Sequence, residues 1–140
     1  MSNLYREEIL EHYREPQNFG KLSFFDVSSK QLNPFCGDEV EIFIKFTMKR
    51  FYRRVLADTP RRCTVRCTVG EIGFAGKGCA ISIASASMLT EYAKGKPKNQ
   101  LTKFSEEDML LLLNIEVSET RKKCALLGWA VLKDCLYAKI

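Results

Sequence analysis

Long hydrophobic runs are missing from this 140-residue chain. Its longest apolar stretches, such as residues 109–113, are far too short to cross a bilayer. The first residues, MSNLYREE, are polar and acidic, whereas a signal peptide begins with a basic stretch followed by an apolar one. There are also no internal repeats and no low-complexity segment. These absences predict a protein without a membrane-spanning segment and favour a cytoplasmic location.

Histidine is almost missing too, because His12 is the only one in the chain. It lies in the first predicted helix, and we expect it at the surface or in contact with a partner rather than at a metal site. The six cysteines do not indicate a disulfide scaffold, since the cytosol keeps thiols reduced. They must either pack as small hydrophobic residues or carry out chemistry.

The length predicts a single domain spanning residues 1–140. Its net charge of +5 is unevenly distributed, and residues 49–66 are dense in Lys and Arg with a single Asp. We interpret this segment as a basic inserted hairpin that could meet an acidic protein partner, or as a solvated loop. A nucleic-acid-binding module is disfavoured, because only Phe51 and Tyr52 are interleaved with the basic residues and no recognised motif is present.

The hydrophobic pattern predicts an α+β fold, with a small antiparallel sheet of about three strands and helices packed on it. Apolar residues at helical spacing indicate a first helix that ends at Pro16. Alternating residues indicate strands over 40–47, 51–56 and from 64 to about 74, forming a meander with one covered face. Further helices are expected after Cys79, after Ser105 and around Cys124, and small residues on the helix after Cys79 predict close packing there.

Three cysteines occupy places where the backbone is expected to turn. Cys36 lies in a Pro/Gly loop, and Cys79 and Cys124 are predicted at helix starts, where the helix dipole favours the thiolate that binds metals. Asp38 could add an oxygen ligand, so that four ligands could hold zinc or a cluster. The spacings match no zinc-ribbon pattern, however, and the residues alone leave buried structural cysteines as the alternative.

Four motifs resemble the U-type iron–sulfur cluster assembly scaffold family, which includes IscU, SufU and the NifU N-terminal domain. They are LYREEILEHYREPQNFG at residues 4–20, NPFCGD at 33–38, GKGCAIS at 76–82 with ASASM at 84–88, and RKKCALLGW at 121–129. The motifs occur in the family order and cover nearly the whole chain. The resemblance implies a SufE/IscU-like fold in which Cys36, Asp38, Cys79 and Cys124 converge as metal and cluster ligands.

The resemblance also implies a function. Family members accept persulfide sulfur from a cysteine desulfurase, here expected at Cys124, and assemble a transient [2Fe–2S] cluster for recipient apo-proteins or cluster carriers. Such a protein is a scaffold and sulfur acceptor rather than an enzyme with a small-molecule substrate. The alternative is a SufU-type zinc-dependent sulfurtransferase that binds Zn²⁺ and activates its desulfurase.

The sequence departs from both branches of the family. Lys123, before the third site cysteine, is typical of SufU, and its ammonium has no lone pair for a metal. Yet the long SufU insertion and the Leu-Pro-Pro-Val-Lys motif of IscU are both missing. Cys63 and Cys67, in and beside the basic segment, are interpreted as plain hairpin residues, with an accessory metal or redox role as the alternative. Cys135 and Trp129 are predicted to belong to the core.

Overall fold

The computed structural model describes residues 3–34, 37–48, 67–114 and 116–137. Within this part of the chain, three strands and five helices follow one another in an α+β arrangement, which confirms the predicted fold class. In chain order they are α1 (Asn3–Arg14), β1 (Val27–Asn33), β2 (Asp38–Met48), β3 (Cys67–Lys77), α2 (Ala80–Ala93), α3 (Lys98–Thr102), α4 (Glu106–Leu113) and α5 (Glu119–Tyr137).

The strands form an antiparallel sheet in the order β1-β2-β3. At one end Asn33 pairs with Asp38, and at the other Met48 pairs with Cys67. The predicted alternation in β2 is confirmed, because the core-facing side chains are fully buried. These core-facing residues are Val40, Ile42 and Ile44.

The opposite face of the sheet is also covered at its centre, which corrects the prediction of one covered face. Phe43 points to that side and is 2% exposed. Its ring lies 5.1 Å from the ring of Phe25, in the segment that links α1 to β1. At Gly73, the partner of Phe43, an added Cβ would come within 2.5 Å of the Gly20 carbonyl oxygen. The α1–β1 connection therefore packs directly on this face.

Helices α2 and α5 pack against the sheet, and α1 packs against α2. Most of α2 is buried, so its small residues have neighbours on several sides. An added Cβ at Gly128 of α5 would lie 3.4 Å from the Ala86 Cα, which confirms the close packing that the small residues predicted. The buried hydroxyl of Ser85 donates to the Ser82 carbonyl, which satisfies it within the helix.

Two further predictions from the sequence are confirmed in the core. Trp129 packs half-buried against it, with Nε1–H donating to the Phe104 carbonyl at 2.9 Å. Cys135 is fully buried, and desolvation raises the pKa of its thiol to about 12, so it remains a protonated core residue.

Residues 49–66 lie outside the described part of the chain, and so do the predicted strand over 51–56, Cys63 and the predicted inserted hairpin. No helix among the described residues is long and apolar enough to span a membrane.

Candidate metal and sulfur site

The first part of the site is the connection between β1 and β2. Asn33 and Asp38 pair across the two strands, and the Gly37 N–H donates to the Asn33 carbonyl at 2.8 Å. Gly37 has a φ of 71°, a left-handed conformation that glycine adopts without strain. The tight turn places Asp38 as the first residue of β2, where it is 1% exposed.

The second part is the junction between β3 and α2. Cys79 is the N-cap of α2, which confirms its predicted place at a helix start. Its backbone N–H donates to Asp38 Oδ1 at 3.0 Å, so the carboxylate satisfies a donor beside the helix start. Gly78 makes this approach possible, because a Cβ there would lie 2.5 Å from Asp38 Oδ1 and 2.4 Å from Ser82 Oγ.

The third part is helix α5, where one prediction was wrong. The sequence placed Cys124 at a helix start, but α5 begins at Glu119 and Cys124 lies in its second turn. The Ser118 hydroxyl accepts the Arg121 N–H at 3.3 Å and its carbonyl accepts the Lys122 N–H, so capping occurs earlier than predicted. Cys124 is therefore buried at 1% exposure, on the side of α5 that faces the sheet.

These three elements bring Asp38, Cys79 and Cys124 together. One potential ligand atom from each residue lies within 4.8 Å of the other two. Tetrahedral ligands at zinc–sulfur distances of about 2.3 Å stand about 3.8 Å apart, so small shifts would suffice for one ion to contact all three. Cys36, the fourth predicted ligand, lies outside the described residues.

The Asp38 carboxylate provides an independent indication of a cation-binding site. Its Oδ1 accepts a hydrogen bond, whereas Oδ2 is buried without a hydrogen-bond partner in the described part of the chain. A buried carboxylate oxygen without a partner is costly, and a bound cation would satisfy it. The donor set of thiolates and one carboxylate oxygen fits either zinc or an iron–sulfur cluster.

Cys67 lies far from this group. It begins β3 opposite Met48, whereas Lys77, next to the site, ends the same strand. At about 3.3 Å per residue, the strand separates their backbones by about 30 Å. Both ends of the basic segment are therefore joined to the sheet at the end away from the site.

Several contacts in and near the site were not anticipated from the sequence. Asn33 Nδ2 donates to Cys124 Sγ at 3.7 Å, and Ser82 Oγ lies 3.7 Å from Cys79 Sγ. The Asn-Pro motif and the serine three residues after Cys79 mark these positions in the sequence, although no local pattern reveals which sulfur each side chain meets.

His12 also has a contact that the sequence did not predict. Its Nδ1 lies 2.7 Å from Ser87 Oγ on α2, so the imidazole joins α1 to α2. A cleft of about 500 Å³ adjoins it and carries acidic side chains on α1 and α2. Its lining residues are Glu7, Glu8, Glu11, His12, Glu15, Gln17 and Glu91.

Comparison with known proteins places these features in a family. The family model for the NifU-like N-terminal domain matches residues 4–52 and 64–138. The match thus includes all four predicted ligand positions. Its interruption, residues 53–63, falls inside the basic segment.

Individual relatives match over most of their length. The zinc-dependent sulfurtransferase SufU of Bacillus subtilis is 30% identical over 150 residues, covering 95% of this chain and 89% of the relative. The iron–sulfur cluster assembly scaffold protein IscU of Streptococcus pyogenes serotype M1 is 27% identical over 154 residues, covering 97% and 84%.

Solved structures share the fold. FiSufU from Fervidobacterium islandicum AW-1 has a TM-score of 0.71 at 24% identity, covering 97% of this chain and 99% of that one. The N-terminal part of a NifU-like protein from Brucella abortus has a TM-score of 0.65 at 18% identity, covering 96% and 92%.

Proposed function

The chain belongs to the family of NifU-like N-terminal domains, and we propose that it acts as an iron–sulfur cluster assembly scaffold. The observation that carries this proposal is the convergence of Asp38, Cys79 and Cys124 from three separate elements. Its cargo is a transient [2Fe–2S] cluster built from iron and persulfide sulfur. The cluster would then pass to recipient apo-proteins or cluster carriers.

The proposed ligands are Cys36, Asp38, Cys79 and Cys124. Chain connectivity supports including Cys36, because two residues span at most about 7 Å and Asp38 is two residues away. Asp38 Oδ2 has no hydrogen-bond partner among the described residues, which supports the carboxylate as the oxygen ligand. An oxygen ligand among sulfurs is a weak point in the ligand set, which suits a cluster that must later leave.

Cys124 is the proposed sulfur acceptor, with a cysteine desulfurase as the donor. Its thiolate attacks the terminal sulfur of the desulfurase persulfide; a new S–S bond forms at Cys124 while the old one breaks, and the desulfurase cysteine leaves as a thiolate. Basic residues beside Cys124 support an anionic sulfur there. Because Cys124 is 1% exposed and Cys79 is half-buried, transfer to Cys124 requires the site to open.

A zinc-dependent sulfurtransferase is the second candidate function. The similarity to SufU of Bacillus subtilis and the Lys at position 123 favour it. In that role the same four residues would hold one Zn²⁺ as the protein's own cofactor. Zinc would stabilise thiolate at the site, and the protein would relay sulfur rather than build a cluster.

Metal analysis of protein purified anaerobically tests both candidates. A scaffold should contain iron together with acid-labile sulfide, whereas the sulfurtransferase should contain about one zinc per chain. Protein that contains neither, and takes up neither from solution, would contradict both.

Mass spectrometry tests the sulfur acceptor. After incubation with desulfurase, cysteine and pyridoxal phosphate, the additional sulfur is expected on Cys124. Additional sulfur found only on Cys63 or Cys67 would instead identify the basic segment and its border as the acceptor.

A further inference from the structure

Asn33 links two parts of the site, the β1–β2 connection and helix α5, although it is not a predicted ligand. It is the last residue of β1 and pairs with Asp38, and its carbonyl accepts the Gly37 N–H. Its side chain is buried at 5% exposure, and its amide Nδ2 donates to Cys124 Sγ at 3.7 Å. One residue therefore ties the β1–β2 turn to the sulfur carried by α5.

The contact at Cys79 has a different chemical character. Ser82 Oγ donates its proton to the Cys79 carbonyl at 3.0 Å and lies 3.7 Å from Cys79 Sγ. A hydroxyl has one proton, so while it is bonded to the carbonyl it cannot also be donated to sulfur. The amide of Asn33 carries two N–H groups and can direct one at Cys124 for as long as the sulfur stays in place.

We propose that Asn33 is a positioning residue that orients the Cys124 sulfur and withdraws electron density from it when metal is bound. This inference rests on the proposed metal site. Hydrogen bonds from neighbouring groups orient metal ligands and tune the metal–sulfur bond. The two described site sulfurs would consequently be unequal donors, because an amide N–H points at Cys124, whereas the hydroxyl beside Cys79 gives its proton to a carbonyl.

Cobalt(II) is the probe for this inference, because its absorption bands report thiolate ligation directly. Asn33→Leu keeps the approximate size of the side chain and removes the amide. Without the N–H, the sulfur becomes a stronger donor, so the sulfur-to-cobalt charge-transfer band should move to lower energy. Cobalt affinity should fall about tenfold, the lower end of the range for lost outer-shell contacts. The four-coordinate pattern of ligand-field bands should persist.

Gln31→Leu is the matched control. It removes an amide from the same strand, where Gln31 donates to the Asp134 carboxylate of α5 instead of to Cys79 or Cys124. Its cobalt spectrum should equal that of the parent protein. Asn33→Asp is a second test variant, which keeps the shape of the side chain and should also shift the band to lower energy.

The outcomes separate this inference from the proposed function. If the parent binds no four-coordinate cobalt through thiolates, the metal site itself is wrong, and the role of Asn33 with it. If the parent binds cobalt and a folded Asn33 variant leaves the charge-transfer band unchanged, only the inference is overturned. Loss of the fold in both Asn33 variants, seen by circular dichroism, would make Asn33 an architectural residue and also overturn the inference.

Discussion

The two ends of the sheet are built differently. At one end, Asn33, Asp38 and Lys77 bring together a tight turn, a strand end and a helix start. At the other end, β2 stops at Met48, β3 starts at Cys67, and the strand pairing is irregular between Lys45 and Phe46. The family model runs unbroken through the first end and is interrupted at residues 53–63 beyond the second.

This difference indicates which end of the sheet can accept additional residues and which end cannot. At the site, the Asp38 carboxylate accepts a hydrogen bond from the Cys79 N–H, and Gly78 beside them has no room for a side chain. Additional residues there would separate the ligands. At the far end β2 and β3 still pair as far as Met48 and Cys67, and the inserted residues lie beyond this pair, where loops commonly tolerate insertions. The following predictions test this contrast.

Removing a site cysteine should have the largest effect. Cys79→Ala takes away one sulfur ligand, and we expect metal content to fall to near zero because only two of the three proposed thiolates remain. Cys67→Ala, at the end of β3 away from the site, should retain the parent's metal content. Metal analysis of both proteins measures the effect, and equal losses would mean that the far end takes part in binding.

Glycine-to-alanine substitutions at the two ends of the sheet should lower the free energy of unfolding by different amounts. At Gly76, φ is 147° and a Cβ would lie 2.0 Å from the Glu39 carbonyl oxygen, so Gly76→Ala should cost about 3 kcal/mol of unfolding free energy. At Gly70, the close atom is the Thr47 side-chain Oγ1, at 2.1 Å, which can rotate away. Gly70→Ala should cost about 1 kcal/mol. Urea denaturation gives both values; similar costs would contradict the contrast.

Replacing Asp38 should change the lifetime of the cluster more than its formation. Asp38→Ala removes the oxygen ligand, and the cluster should decay several-fold more slowly in air because the weak point of the ligand set is gone. Asp38→Asn is the control for the hydrogen bond, since its amide oxygen can still accept the Cys79 N–H. Decay is followed by visible absorption, and an unchanged rate in Asp38→Ala would assign Asp38 to capping alone.

Charge reversal in the basic segment should have the smallest effect. Arg61→Glu with Arg62→Glu should weaken desulfurase binding a few-fold at low ionic strength, less in high salt, and leave metal content intact. The control, Lys94→Glu with Lys103→Glu, makes the same charge change at exposed positions elsewhere. If desulfurase binding is unaffected at every salt concentration, the basic segment is a solvated loop that takes no part in binding this partner.

Much of the fold could be predicted because its determinants are local. The alternation in β2 follows from side chains pointing to opposite faces. The helix expected after Ser105 is confirmed as α4, which begins with a capping box of Ser105 and Asp108. The start of α5 was misplaced, because the basic run before Cys124 continues the helix rather than preceding it. The cover over Phe43 was also missed, since it depends on an irregular segment with no periodic signal.

The candidate site, too, could be predicted from the sequence only in part. The sequence alone determined the family and predicted the chemical types of the ligands, because motifs, thiols and a carboxylate can be read without coordinates. The distances between Asp38, Cys79 and Cys124 were decided only by tertiary structure, since strand register and the packing of α5 bring together residues far apart in sequence. The same packing decided that Asn33 meets Cys124, a contact between residues 91 positions apart that no local pattern specifies.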